Sequence, residues 1–172
     1  MIGAYALAVE WTRALAMRNS GFVVPALILG GAALAAAAAG WTPAQLGLGT
    51  SRLGFRLLGG FALGAVLLLP SAVRSGVTPL LPASLALAAV AVSVGEEIAF
   101  RGALYAALDD IGRAPLAIVG STLVWTLAHA LSHPPAFLGA VAAAGLLLAL
   151  WRWAARDLVG PVVAHVIADL AL

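Results

Sequence analysis

The stretch Val94-Gly95-Glu96-Glu97-Ile98-Ala99-Phe100-Arg101-Gly102-Ala103-Leu104-Tyr105 sets two adjacent carboxylates and an arginine among apolar residues. The rest of the chain avoids charge: of 172 residues, 63% are hydrophobic and 9% charged, and the mean hydropathy is +1.08. A soluble domain carries about 25% charged residues. The composition is therefore that of an integral membrane protein with the length of one domain. The fold expected is all-α: a single polytopic bundle over residues 1–172, with about five to six membrane helices and a site inside the bundle.

Composition also excludes. There is no cysteine, so disulfides and thiolate metal sites are absent. All nine basic residues are arginine. With the richness in Ala, Gly, Leu and Val, this points to a GC-rich bacterial genome and hence to the bacterial cytoplasmic membrane. The sequence pI is about 9.9, but the net charge is only +2 and no basic cluster occurs, so nucleic acid is not an expected partner. Arginines at membrane interfaces account for the pI. The N-terminus lacks a basic start before an apolar core, so no cleaved signal peptide is expected.

Outward from the opening stretch, Ala83 to Leu108 reads as one long helix with the charges in its second half. Asp109, Asp110, Gly112 and Arg113 form a polar turn, and Pro115 to Leu131 is a further span holding Trp125 and His129. His133, beside Pro134, reads as an interfacial loop residue, and Ala136 to Trp153 spans again. Gly160 to Leu172 carries His165 and Asp169; at about 13 residues and ~20 Å it is too short for a ~30 Å core and reaches mid-depth.

Upstream, Phe22 to Ala39 and Leu57 to Val73 are apolar spans, and Arg74, Pro79 and Pro82 mark the next boundary. Gly60 and Gly64 have the spacing of a helix contact, read here as ordinary glycine content. Residues 1–20, interrupted by Glu10, Arg13 and Arg18, read as an interfacial helix or a poor first span. Trp11, Trp41, Trp151 and Trp153 read as interface anchors. With five spans and a short sixth segment, Arg52, Arg56, Arg113, Arg152 and Arg156 fall on one side and Arg13, Arg18 and Arg74 on the other. The first group is expected in the cytoplasm.

A charge at the bilayer centre costs at least ~2.5–3.5 kcal/mol, so such groups face a bundle interior or a wet cavity. The ionisable residues within apolar segments are Glu96, Glu97, Arg101, His129, His165 and Asp169, on three helices. Glu97 and Arg101 stand at i and i+4 with the acid first, the favourable order for an ion pair. Glu96 points about 100° away and is left without a local partner, which suits a general base. His165 and Asp169 are again i and i+4, so the acid can orient the imidazole. Trp125, one turn before His129, can wall the same pocket. Taken singly, each group also fits a structural ion pair or an interior histidine; their conjunction points to a site.

The order Glu96-Glu97-xxx-Arg101, Trp125-xxx-His129, His165-xxx-Asp169 resembles the CAAX-protease and bacteriocin-processing family, the Ras-converting-type prenyl endopeptidases and their bacterial relatives. The resemblance covers residues 83–172, expected to form the catalytic core. It departs from the usual pattern at Trp125, where phenylalanine is usual, and at Asp169, where asparagine is usual.

The resemblance implies an intramembrane glutamic-type peptide hydrolase in which Glu96 activates water with His129. His165 and Asp169 would stabilise the oxyanion, and Glu97, Arg101 and Trp125 would shape the site. It implies no cofactor. Zinc held by His129, His165 and Glu96 is the minority alternative, although no HExxH spacing is present. The expected partners are a lipid bilayer and a peptide or membrane-protein substrate: leader peptides, toxins or membrane-protein tails rather than prenylated proteins. Two non-peptidase readings stay open, a non-catalytic immunity or partner-binding protein on the same scaffold and a proton or ion pathway.

Overall fold

The computed structural model describes residues 1–49, 51–72 and 81–171. The chain is helical, with no strand among the described residues. α1 (Ile2–Ala16) leads into α2 (Val23–Ala35), and α3 (Pro43–Leu46) is a single turn before α4 (Leu53–Ala72). α5 (Ala83–Glu97) passes through a π-helical stretch (Ile98–Leu104) into α6 (Tyr105–Ala128). α7 (Leu138–Ala155) and α8 (Val159–Ala171) complete the fold. Val73, Arg74 and Pro79, expected at the boundary before α5, lie outside the described residues.

Ala83–Leu131 forms 49 residues of apolar helix, far more than the ~20 needed for one crossing. It is broken at Gly112 (φ −132°, ψ 18°) and Arg113 (φ 60°, ψ −174°), inside the expected polar turn. Leu108 packs on Gly120, which in a straight helix would lie ~18 Å away. The two arms therefore fold back as a hairpin. Ser20–Ala38 and Pro135–Ala155 are also long and apolar enough to cross, while Leu53–Leu69 and Val159–Ala171 are shorter apolar helices.

The outside is apolar and the inside charged. Leu58, Leu87, Ile111 and Leu123 face outward, whereas Glu10, Glu96, Glu97, Arg101 and Asp157 are enclosed. This distribution suits a lipid solvent: the protein is an integral membrane helix bundle.

Close helix contacts hold the bundle together. A Cβ on Gly95 would run into the backbone of Gly31, and one on Gly31 into the carbonyl of Ala91, so α2 and α5 meet backbone to backbone. Between membrane helices this is how small residues stabilise packing, by dispersion at short range. Gly60 and Gly64 are not incidental glycine content: Cβ atoms there would come within 2.7 Å of Val163 and 3.2 Å of Ile167. They form the seam that docks α8 on α4.

α1 is not among the helices long and apolar enough to cross a membrane, yet it belongs to the bundle. α1 packs against α2, α6 and the π-helical stretch and buries Ala6, Glu10, Arg13 and Ala14. Arg13 therefore does not mark a membrane face. The indole N–H groups of Trp11 and Trp151 donate to the Leu127 carbonyl (3.1 Å) and to Asp157 Oδ2 (3.1 Å).

Candidate active site

The last residues of α5 point two carboxylates into the bundle, and four other elements bring groups to meet them. Glu97 lies on one side of α5 with Arg101 one turn later; Arg101 Nη1 donates to Glu97 Oε1 at 2.9 Å, and both side chains are fully enclosed. The guanidinium also donates to the Gly145 carbonyl (3.3 Å) and lies 4.2 Å over the Trp125 ring. The i, i+4 pair expected from sequence is therefore present. It has a third member, since His165 Nδ1 lies 2.8 Å from Glu97 Oε1, which fixes Nδ1 as the protonated nitrogen of that ring.

Glu96 is not the partnerless carboxylate expected from its own helix. Its partners come from elsewhere in the chain. Arg13 Nη2, from α1, donates to Oε1 at 3.0 Å, and the Trp125 indole N–H donates to Oε2 at 2.9 Å. The same Arg13 nitrogen donates to Glu10, so one guanidinium bridges two buried acids. Glu10 and Arg13 are the residues that sequence reasoning missed. The signal is a pair of opposite charges three residues apart in a largely apolar helix, a pattern that from sequence alone reads as an interruption of a span.

α6 ends in a tight turn, and the carbonyl of Trp125 takes the Nδ1–H of His129 at 2.8 Å. That tautomer leaves Nε2 with a lone pair directed at Glu96 Oε2, 3.6 Å away. His165 Nε2 approaches the same oxygen at 4.0 Å and Asp169 Oδ2 at 3.6 Å. The Ser93 hydroxyl lies 2.7 Å from Asp169 Oδ2 and 2.6 Å from the Ala89 carbonyl. Ser93 is a further unforeseen member.

Glu96, Trp125, His129, His165 and Asp169 all line one cavity of about 350 Å³. Its remaining wall is apolar, from α4 and the Ala140–Leu148 face of α7. His133 also lines it, its ring 5.2 Å from both His129 and Phe137; the expected loop residue is a wall of the cavity.

The zinc alternative needs Glu96, His129 and His165 each within ~2.2 Å of one point. Glu96 Oε2 already accepts the indole N–H, and no group of three His, Cys, Asp or Glu among the described residues is placed to hold a metal ion.

Comparison with known proteins gives one match. The profile of the family described as Type II CAAX prenyl endopeptidase Rce1-like covers residues 78–171, more than half the chain and all three helices that carry the polar residues read from sequence. No curated protein and no solved structure matches.

Proposed function

This chain belongs to the Type II CAAX prenyl endopeptidase Rce1-like family, a family of membrane proteases, and on that premise we propose that it is an intramembrane endopeptidase whose general base is Glu96. The observation that carries the reading is the facing pair of acceptors, Glu96 Oε2 and His129 Nε2, 3.6 Å apart on the floor of an apolar cavity. A water that donates one proton to each turns its lone pairs toward the cavity. Its oxygen attacks the scissile carbonyl carbon while the proton passes to Glu96. The carboxyl then delivers that proton to the departing amine nitrogen as the C–N bond breaks.

Arg13 occupies one lone pair of Glu96 Oε1 and Trp125 one of Oε2, which leaves the second lone pair of Oε2 for the water. His165, anchored through Nδ1 to Glu97 and flanked by Asp169, stands on the electrophilic side; in its imidazolium form Nε2–H donates to the oxyanion. The mechanism needs no metal. The client is a bilayer-associated peptide segment, and the membrane is that of a bacterial cell.

The test is Glu96→Gln in purified, reconstituted protein, with cleavage of a membrane-anchored peptide library read by mass spectrometry. Loss of the base lowers the rate by about 10²-fold or more, and chelators leave the wild-type rate unchanged. Cleavage by Glu96→Gln at the wild-type rate would refute the assignment.

A further inference from the structure

At the other end of α7 from the catalytic cavity, the bundle holds a second and larger one, of about 910 Å³. Arg113, Arg152 and Arg156 line it together with Asp109, Asp110 and Trp153. It is bounded by the hairpin turn between the arms of the long helix, the start of α3 and the end of α7. Elements that end together at one end of a membrane bundle mark the bilayer interface. The five arginines expected on one face, 52, 56, 113, 152 and 156, are gathered there around this and an adjoining cleft.

Arg152 is the decisive group. It is 93% enclosed, yet no carboxylate among the described residues lies within 4 Å of it. It is instead held rigidly: Nε donates to the Arg101 carbonyl (3.1 Å), Nη2 donates to the Gln45 carbonyl (2.8 Å), and the plane lies 5.1 Å over Tyr105. Gly47, at φ 80°, leaves it room, since a Cβ there would stand 2.9 Å from Cζ. A buried guanidinium without a contacting counter-anion is costly; Asp109 and Asp157 reach this one only from beyond 4 Å, and it lines the cavity.

Arg113 and Arg156 have no ion-pair partner among the described residues either, and both occupy left-handed backbone, φ 60° and 51°. For a side-chain-bearing residue that costs about 1–3 kcal/mol, strain that concentrates at ligand clamps.

We propose that this cavity binds the headgroup of a membrane phospholipid, with the phosphate on Arg113, Arg152 and Arg156 and the hydrogen-bond donors of the headgroup on Asp109 and Asp110. Three guanidiniums against two carboxylates leave one net positive charge for a phosphodiester. The carboxylates require donors beside it, and glycerol hydroxyls or an ethanolamine ammonium supply them; choline carries none. Tryptophan at the rim fits headgroup depth. Arg152 is joined through the Arg101 carbonyl and the Arg101–Glu97 ion pair to Glu97, the carboxylate that anchors His165.

The test is native mass spectrometry of the full chain in detergent, delipidated and offered equal amounts of phosphatidylglycerol, phosphatidylethanolamine and phosphatidylcholine. Wild type retains one of the first two in preference to the third. Arg113→Gln and Arg156→Gln, whose side chains hold no other element in place, each lower retention by about fivefold, and together about 25-fold, from ~1 kcal/mol per interfacial arginine. Glu96→Gln retains lipid like wild type, so this outcome is independent of whether the protease assignment survives. Equal retention of phosphatidylcholine, or wild-type retention by the double variant, overturns the proposal. Thermal stabilisation by inorganic phosphate equal to that by lipid assigns the site to a soluble phosphate and overturns it as well.

Discussion

Replacing Arg13 by methionine keeps the length of the side chain and removes its charge. In the structure one nitrogen of Arg13 serves both Glu10 and Glu96, and all three side chains are enclosed. The substitution leaves two buried acids around a site that has lost its cation. Breaking a buried ion pair from one side costs about 3–5 kcal/mol, because the surviving charge stays desolvated. For a chain of this length that lowers the unfolding midpoint by roughly 10 °C.

The remedy identifies the cause. Adding Glu10→Gln to Arg13→Met removes one of the stranded acids and recovers part of the loss, so the double variant is more stable than the sum of the singles. Catalysis falls too, since Glu96 loses a charged hydrogen bond worth about 1.5–3 kcal/mol, which is tenfold to a hundredfold in rate. Arg13→Lys restores charge but not the shared two-acid geometry and recovers stability more than rate. Thermal unfolding in detergent and peptide cleavage in liposomes measure the two. An Arg13→Met protein within about 2 °C of wild type with full cleavage activity would refute the account of α1 as part of the site.

Three further outcomes follow from the same geometry. Glu97→Gln strands Arg101 in a fully enclosed position and loosens His165; it costs about 3–5 kcal/mol, read as loss of folded protein on size exclusion. Gly95→Ala drives a methyl group into the Gly31 backbone. It separates α2 from α5, with an overpacking penalty of about 1–3 kcal/mol or more seen as a lower midpoint that Gly31 variants do not worsen additively. Asp169→Asn keeps an acceptor for Ser93 and adds an amide donor facing the cavity, so its cleavage rate stays within about threefold of wild type, whereas Asp169→Leu falls at least tenfold by loss of a group on the electrophilic side.

What the sequence made legible follows from how far each interaction reaches along the chain. The Glu97–Arg101 pair is one helical turn, so spacing alone disclosed it. The carbonyl that orients His129 is also a turn away, at Trp125, the same spacing that puts Trp125 on the pocket wall. The Arg13–Glu96 contact joins residues 83 positions apart, and Ser93 meets Asp169 across 76; only the packing of α1, α5 and α8 creates them. A charged pair within an apolar helix needs either an interface or an interior partner, and α1 offers the face of Ala6, Glu10, Arg13 and Ala14 for the latter.

The same rule applied to VGEEIAFRGALY leaves its residues better separated in role than their adjacency implies. Glu97, Arg101 and His165 form one cluster inside the bundle, which reaches the cavity through the His165 ring. Glu96, one residue earlier, belongs to a different one, built by Arg13 and Trp125 and open to the cavity. Two neighbouring carboxylates are tolerated because α5 turns them about 100° apart, so each finds its own cation. On the proposed reading only Glu96 retains a face toward water, and it therefore carries the proton while Glu97 keeps the fold and the histidine in place. Glu97→Gln should accordingly be read out first in stability, and Glu96→Gln in rate with stability nearly intact. The reverse order would exchange the two roles.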